Sequence, residues 1–133
     1  MKRTTVFAIL TFLYIALIAV LCFANFKSAP DVPKSIFGID SDKVVHFLMF
    51  LPFPVLAFFS FRTGKMGIGA TLGLIVLIFA VGCLLAGTTE YVQGLLPYRQ
   101  KDVNDFRADM LAMIISSTVV FLISLACHVR KKA

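Results

Sequence analysis

Three short polar stretches interrupt an otherwise apolar chain, and their residue types could move protons or hold an anion. The first is Asp42-Lys43-x-x-His46, where Asp42 and His46 are four apart and share a helix face. The second is Glu90-x-x-Gln93, three apart on one face and running on into Pro97 and Arg99. The third is Asp102-x-x-Asp105-x-x-x-Asp109, again at helical spacing, with Arg107 falling off that face. Carboxylates and an imidazole gathered at one level could do general acid–base work. Arg99, Lys43 and Lys101 could instead grip a lipid phosphate or a carboxylate. The same oxygens and nitrogen could in principle hold a divalent cation. However, there is no HExxH, and Asp102-x-Asn104 lacks the glycine of a calcium loop. No metal and no cofactor are therefore expected. The candidate acid–base groups are His46, Glu90 and Asp105. The candidate substrate-binding groups are Asp42, Lys43, Gln93, Arg99 and Asp109.

Each residue taken alone has a plainer account. Asp42 is an acid at a helix N-terminus, where the dipole favours it. Lys43 is a side chain that snorkels to an interface. His46 alone is a hydrogen-bonded interfacial histidine, and Glu90 could pair with Arg99 or Lys43. Asp102, Asn104 or Asp105 can cap the helix that follows. Asp109 resists such an account, because it lies inside the start of an apolar run, where an unpaired carboxylate is costly and marks a partner or a function.

The elements that must position these groups are long and hydrophobic. Of 133 residues, 59% are hydrophobic, against about 45–50% in a soluble domain. A helix rises about 1.5 Å per residue, so roughly 20 residues cross the hydrocarbon of a bilayer. Four apolar runs fit that length and predict helices over about 4–26, 43–61, 66–94 and 105–129. The expected fold is an all-α membrane protein, a single domain over 1–133 built as a four-transmembrane-helix bundle. The first run is longer than the about 7–15 apolar residues of a signal peptide and is read as a retained helix. Pro52 and Pro54 predict a kink in the second run, which lipid tolerates only where neighbours satisfy the freed carbonyls. Gly69-x-x-x-Gly73 and Gly82-x-x-x-Ala86 in the third run permit close helix approach. Along an untilted helix, Glu90 lies about 36 Å from Met66, at the far headgroup layer and level with the other two polar stretches.

Charge gives the orientation. With the N-terminus inside, Lys2, Arg3, Arg62, Lys65, Arg130, Lys131 and Lys132 lie inside, and Lys27, Lys34, Lys43, Arg99, Lys101 and Arg107 outside. That count is nearly even, but all seven acids fall outside. Both termini are expected to be cytoplasmic. The loop Lys27–Asp42 carries Ile36, Phe37 and Ile39, which either dip into the headgroup layer or pack on the helix ends. The net charge of +6 is spread over run ends rather than gathered on one polar face, so nucleic acid is not an expected partner. Cys22, Cys83 and Cys127 each lie in an apolar run without metal-ligand spacing and read as small buried side chains. A Cys22–Cys83 bridge is the alternative.

Asp42, Lys43 and His46 in DKVVHFLMF, Glu90, Gln93, Pro97 and Arg99 in EYVQGLLPYR, and the acidic helix start with Asp105 together resemble the VanZ-like family of small bacterial membrane proteins. The resemblance spans roughly residues 40 to 115. Phe50 stands where that family often carries tyrosine, Asp109 where it usually carries asparagine, and Ala112 where it usually carries glycine. The family is associated, through its founding member, with resistance to the glycopeptide teicoplanin. The resemblance implies a multi-pass protein of the bacterial cytoplasmic (inner) membrane whose outer-face polar site engages a cell-envelope component. The implied partners are membrane lipid and a lipid-linked cell-wall precursor or glycopeptide. Two other readings stay open: an intramembrane enzyme acting on a lipid headgroup or cell-wall precursor, and a structural or transport subunit.

Overall fold

The computed structural model describes residues 2–24, 33–64, 66–99 and 101–130. Five helices form from the four apolar runs: α1 (Arg3–Phe23), α2 (Ser41–Phe50), α3 (Phe53–Phe61), α4 (Ile68–Gln93) and α5 (Val103–Arg130). Counting α2 and α3 as one interrupted span, Ser41–Phe61, four helices are long and apolar enough to cross a membrane. The chain runs up and down: α1 packs on α3 and α4, and α5 lies against α2, α3 and α4.

The break between α2 and α3 falls at Leu51–Pro52, where the prolines predict it. Proline has no N–H to donate to the preceding turn. The Tyr14 hydroxyl of α1 donates to the Met49 carbonyl at 3.1 Å, so a neighbouring helix supplies a donor beside the interruption. Thr11 and Ser60 hydroxyls, 2.8 Å apart, make a further polar tie, this one between α1 and α3.

The helix ends differ from the expected bounds. α1 stops at Phe23 rather than running to Phe26, because Ala24 has already turned extended (φ −65°, ψ 145°). Phe26, Lys27, Asp31, Lys65, Lys131 and Lys132 lie outside the described residues. α5 begins at Val103, two residues early, because Asp102 is its cap: Asp102 Oδ1 accepts the Asn104 N–H at 2.8 Å. The loop before α2 holds a hairpin that the sequence reading missed. Strands β1 (Ser35–Ile36) and β2 (Ile39–Asp40) pair antiparallel around Phe37–Gly38. Both turn residues have positive φ, 53° and 80°, as a two-residue primed turn requires. Phe37 at its tip is fully exposed and Ile39 is 53% exposed, so neither is buried against the helix ends.

A thin core runs between the helices, with Ile18, Phe50, Phe53, Phe58, Ala86, Ala112 and Met113 buried. Around it, large apolar side chains face outward on every span: Phe12 and Leu84 are each 72% exposed, Phe61 64% and Ile123 59%. A water-facing protein of this size rarely exposes contiguous apolar surface on such a scale. Gly82 and Ala86 lie buried at the contact of α4 with α3 and α5. A Cβ at Gly82 would collide with Met113 Sδ and come 3.0 Å from Phe53 Cε1. The other small-residue pair is not used this way, since Gly69 and Gly73 face open space. All three cysteines are free, so Cys22 and Cys83 are not bridged.

Candidate functional site

Three helix termini meet at one end of the bundle: the start of α2, the end of α4 and the start of α5. One turn into α2, His46 points inward; at the end of α4, Glu90 does so; on the first two turns of α5, Asp105 and Asp109 follow at i and i+4. None of the four is more than 3% exposed. The helical spacing of each polar stretch thus aims its ionisable groups at a common point between the helices.

The imidazole is the hub. Nδ1 lies 3.1 Å from Asp109 Oδ1 and 3.3 Å from Oδ2, within hydrogen-bond distance of either. Glu90 Oε1 is 3.9 Å from the same nitrogen. On the opposite side of the ring, Nε2 is 3.9 Å from Asp105 Oδ2. Asp102 links the cap of α5 to this centre, because its backbone N–H donates to Glu90 Oε2 at 3.3 Å. Two buried carboxylate oxygens, Glu90 Oε1 and Asp105 Oδ1, have no hydrogen-bond partner. Buried polar atoms are nearly always paired, so two orphans in one cluster are a feature to explain.

At the rim, Lys43 bridges two acids, with Nζ 2.7 Å from Asp40 Oδ2 and 3.1 Å from Asp102 Oδ2. Its charge thus serves these acids rather than Glu90. Asp102 lies between the spans, and its carboxyl is held below the usual carboxylate range, first by the Asn104 N–H and then by Lys43. Asp42 is exposed at the start of α2. It has a carboxylate oxygen within 4.8 Å of ligand atoms on both His46 and Asp105.

The remaining two candidates turn toward α1. Gln93 Nε2 donates to the Cys22 carbonyl at 3.1 Å, and Arg99 Nη2 donates to the Leu21 carbonyl at 2.9 Å. Tyr98 adds its hydroxyl on the Phe23 carbonyl at 2.9 Å. Together they satisfy three carbonyls of the last turn of α1, which a helix end leaves without intrahelical donors. The structure therefore brings His46, Glu90, Asp105 and Asp109 together, sets Asp42 and Lys43 at the rim, and places Gln93 and Arg99 beside the end of α1. The sequence reading missed the role of Asp40, which holds Lys43 from three residues away, a spacing that was visible. It did not assign Tyr98 either, and nothing in the local pattern marks that residue.

Two cavities, of about 360 and 250 Å³, lie at the far end of the bundle. They are lined by Arg62, Thr71, Phe121 and His128, and by Arg3, Phe59 and Arg62. Neither touches the carboxylate–imidazole cluster. Comparison with known proteins adds no name: no family model, no curated protein and no solved structure matches this chain.

Proposed function

We propose that this is a VanZ-like multi-pass protein of the bacterial cytoplasmic membrane, with both termini cytoplasmic and a polar site at its outer face that engages an envelope component. The partner is a lipid-linked or cell-wall molecule carrying a phosphate or carboxylate. The observation that carries this reading is the convergence of His46, Glu90, Asp105 and Asp109, buried on three spans at one end. Intramembrane ionisable groups are expensive and mark functional paths. The described acids Asp40, Asp42, Glu90, Asp102, Asp105 and Asp109 all lie at this end, while Lys and Arg divide almost evenly between the two ends, so the orientation rests on the acids alone.

A second reading, an intramembrane enzyme, draws on the ring of His46 itself. A carboxylate stands on each side of it, Asp109 on Nδ1 and Asp105 on Nε2. That arrangement can relay a proton through the imidazole.

The full chain in phospholipid vesicles should bind a polyprenyl diphosphate saturably, and Glu90→Gln should weaken that binding at least tenfold. A binding protein loses affinity in step with function. An enzyme variant keeps its affinity while turnover of the headgroup stops. Equal binding by wild type and Glu90→Gln, with no turnover in either, removes both readings. In cells, unchanged teicoplanin susceptibility on deletion removes the antibiotic link alone.

A further inference from the structure

An acidic cluster engages a phosphate-bearing partner through a cation held between them. Three buried carboxylates, Glu90, Asp105 and Asp109, surround the His46 imidazole. Lys43 is engaged by Asp40 and Asp102 at the rim. Burial makes uncompensated negative charge costly, and among the described residues Glu90 Oε1 and Asp105 Oδ1 have no hydrogen-bond partner.

The distances suit a metal ion. His46 Nδ1, Glu90 Oε1 and Asp109 Oδ1 belong to one group whose ligand atoms all lie within 4.8 Å of one another. Two ligand atoms each about 2.1 Å from an ion stand roughly 3 Å apart at a right angle and about 4.2 Å apart when opposite. The observed separations from Nδ1, 3.1 Å to Asp109 Oδ1 and 3.9 Å to Glu90 Oε1, fall inside that window.

A carboxylate also stands on the far side of the ring, 3.9 Å from Nε2 and beyond hydrogen-bond distance. A metal-binding histidine normally donates from its second nitrogen to a carboxylate, which fixes the tautomer. Here Nε2 faces Asp105. The other oxygen of Glu90 is held by the Asp102 N–H, so Oε1 is turned toward His46. Asp42, exposed and grouped with His46 and Asp105, offers a carboxylate step from the surface.

We propose that His46 Nδ1, Glu90 Oε1 and Asp109 Oδ1 bind one divalent transition cation, Mn²⁺ or Zn²⁺. Asp105 and the Asp102 amide act as positioning groups. One nitrogen and two carboxylate oxygens select these ions over Mg²⁺, which prefers oxygen alone. With the ion in place, the acidic cluster becomes a centre that accepts a phosphoryl oxygen. The inference rests on the reading of this cluster as a functional site, but not on which envelope molecule reaches it.

The test uses the metal alone. Full-length protein in detergent, stripped with EDTA, is dialysed against Mn²⁺ or Zn²⁺ and its metal content measured by atomic emission. The expected result is one ion per chain, a loss of at least tenfold in affinity for Glu90→Gln and a smaller loss for Asp105→Asn. Helical circular dichroism and a single elution peak qualify each variant. X-ray absorption on the wild-type protein needs no variant and should show one nitrogen ligand among oxygens. Less than one-tenth of an equivalent bound, binding that Glu90→Gln leaves unchanged, or an all-oxygen shell overturns the proposal. Bound metal without any gain in polyprenyl diphosphate binding upholds the metal site while removing the envelope-ligand reading.

Discussion

His46 and Asp109 are 63 residues apart in sequence and 3.1 Å apart in the fold, one on α2 and one on α5, with Asp109 fully buried. The pair answers the question that Asp109 poses in the sequence. A carboxylate inside an apolar run has a partner, and that partner is the histidine of a different span. It also ties α2 to α5, alongside the approach of His46 Nε2 to Asp105.

Breaking this pair from one side should be severe. Removing one partner of a buried hydrogen-bonded pair leaves the other unsatisfied, a cost of about 3–5 kcal/mol where the pair is charged. Asp109→Leu and His46→Leu are each expected to destabilise by about that amount, while the double variant should cost clearly less than their sum. Asp109→Asn keeps a hydrogen-bonding side chain beside Nδ1 and should be the mildest. Reversible unfolding in mixed micelles measures all four.

The close approach at Gly82 is local and can be tested by one methyl group. Gly82→Ala should cost about 1–3 kcal/mol through overpacking against Met113 and Phe53, and Met113→Ala in the same chain should recover part of it. Gly69→Ala and Gly73→Ala, with nothing within 4 Å of the added carbon, should stay within about 0.5 kcal/mol of wild type. Equal effects at all three positions would mean that α4 packs differently.

Much of this fold was legible because bilayer thickness imposes a length on apolar runs, and because each polar stretch repeats at helical spacing. The break at Pro52 was legible for the same kind of reason: a missing N–H is a property of one residue. What escaped was set by contacts between distant segments. Gln93 and Arg99 read as ligand-binding groups because their types suit an anion. Only the fold shows that the end of α1 lies beside them with open carbonyls. The two GxxxG-type patterns look alike in sequence, and packing alone separates Gly82 from Gly73. Phe37–Gly38 carries no Asn or Asp at its first turn position, so the hairpin gave only its glycine as a signal.

The clasp on α1 predicts a change in thiol exposure. Cys22 is 1% exposed and its carbonyl is held by Gln93. Gln93→Leu and Tyr98→Phe should each cost about 0.5–1.5 kcal/mol, and Arg99→Met about 1.5–3 kcal/mol, as hydrogen bonds from neutral and charged donors do. With Cys83 and Cys127 replaced by alanine, alkylation of Cys22 should accelerate in the same order. An alkylation rate indifferent to all three would mean that the end of α1 is held by packing alone.

The rim pair gives a pH dependence whose sign is fixed. Asp102 has a lowered carboxyl pKa in the fold, so the interactions that lower it stabilise the fold above the ordinary carboxylate value of about 3.9. They are lost as pH falls through the lowered value. Lys43→Met removes one cause and should flatten that part of the acid limb in a stability-against-pH series. Because the rim is open to solvent, 0.5 M salt should imitate the substitution in part.

Phe37 combines two costs that no fold requirement explains. It sits at φ 53°, where side chains other than Asn, Asp and Gly are disfavoured, and its ring is fully exposed at the tip of the hairpin. Asparagine would suit the turn better on both counts. In the topology proposed above, this exposed ring would enter the headgroup layer beside the cluster. Phe37→Trp should show emission quenched by brominated lipid in vesicles. Phe37→Asn should leave stability unchanged or higher while weakening polyprenyl diphosphate binding. In a chain whose native cysteines are replaced, Phe37→Cys should react with an impermeant maleimide added to intact cells. Cys127, kept as the sole cysteine in a parallel chain, should react only after permeabilisation. Labelling in the reverse order would place the carboxylate cluster on the cytoplasmic side and transfer its partner to the cytosolic leaflet.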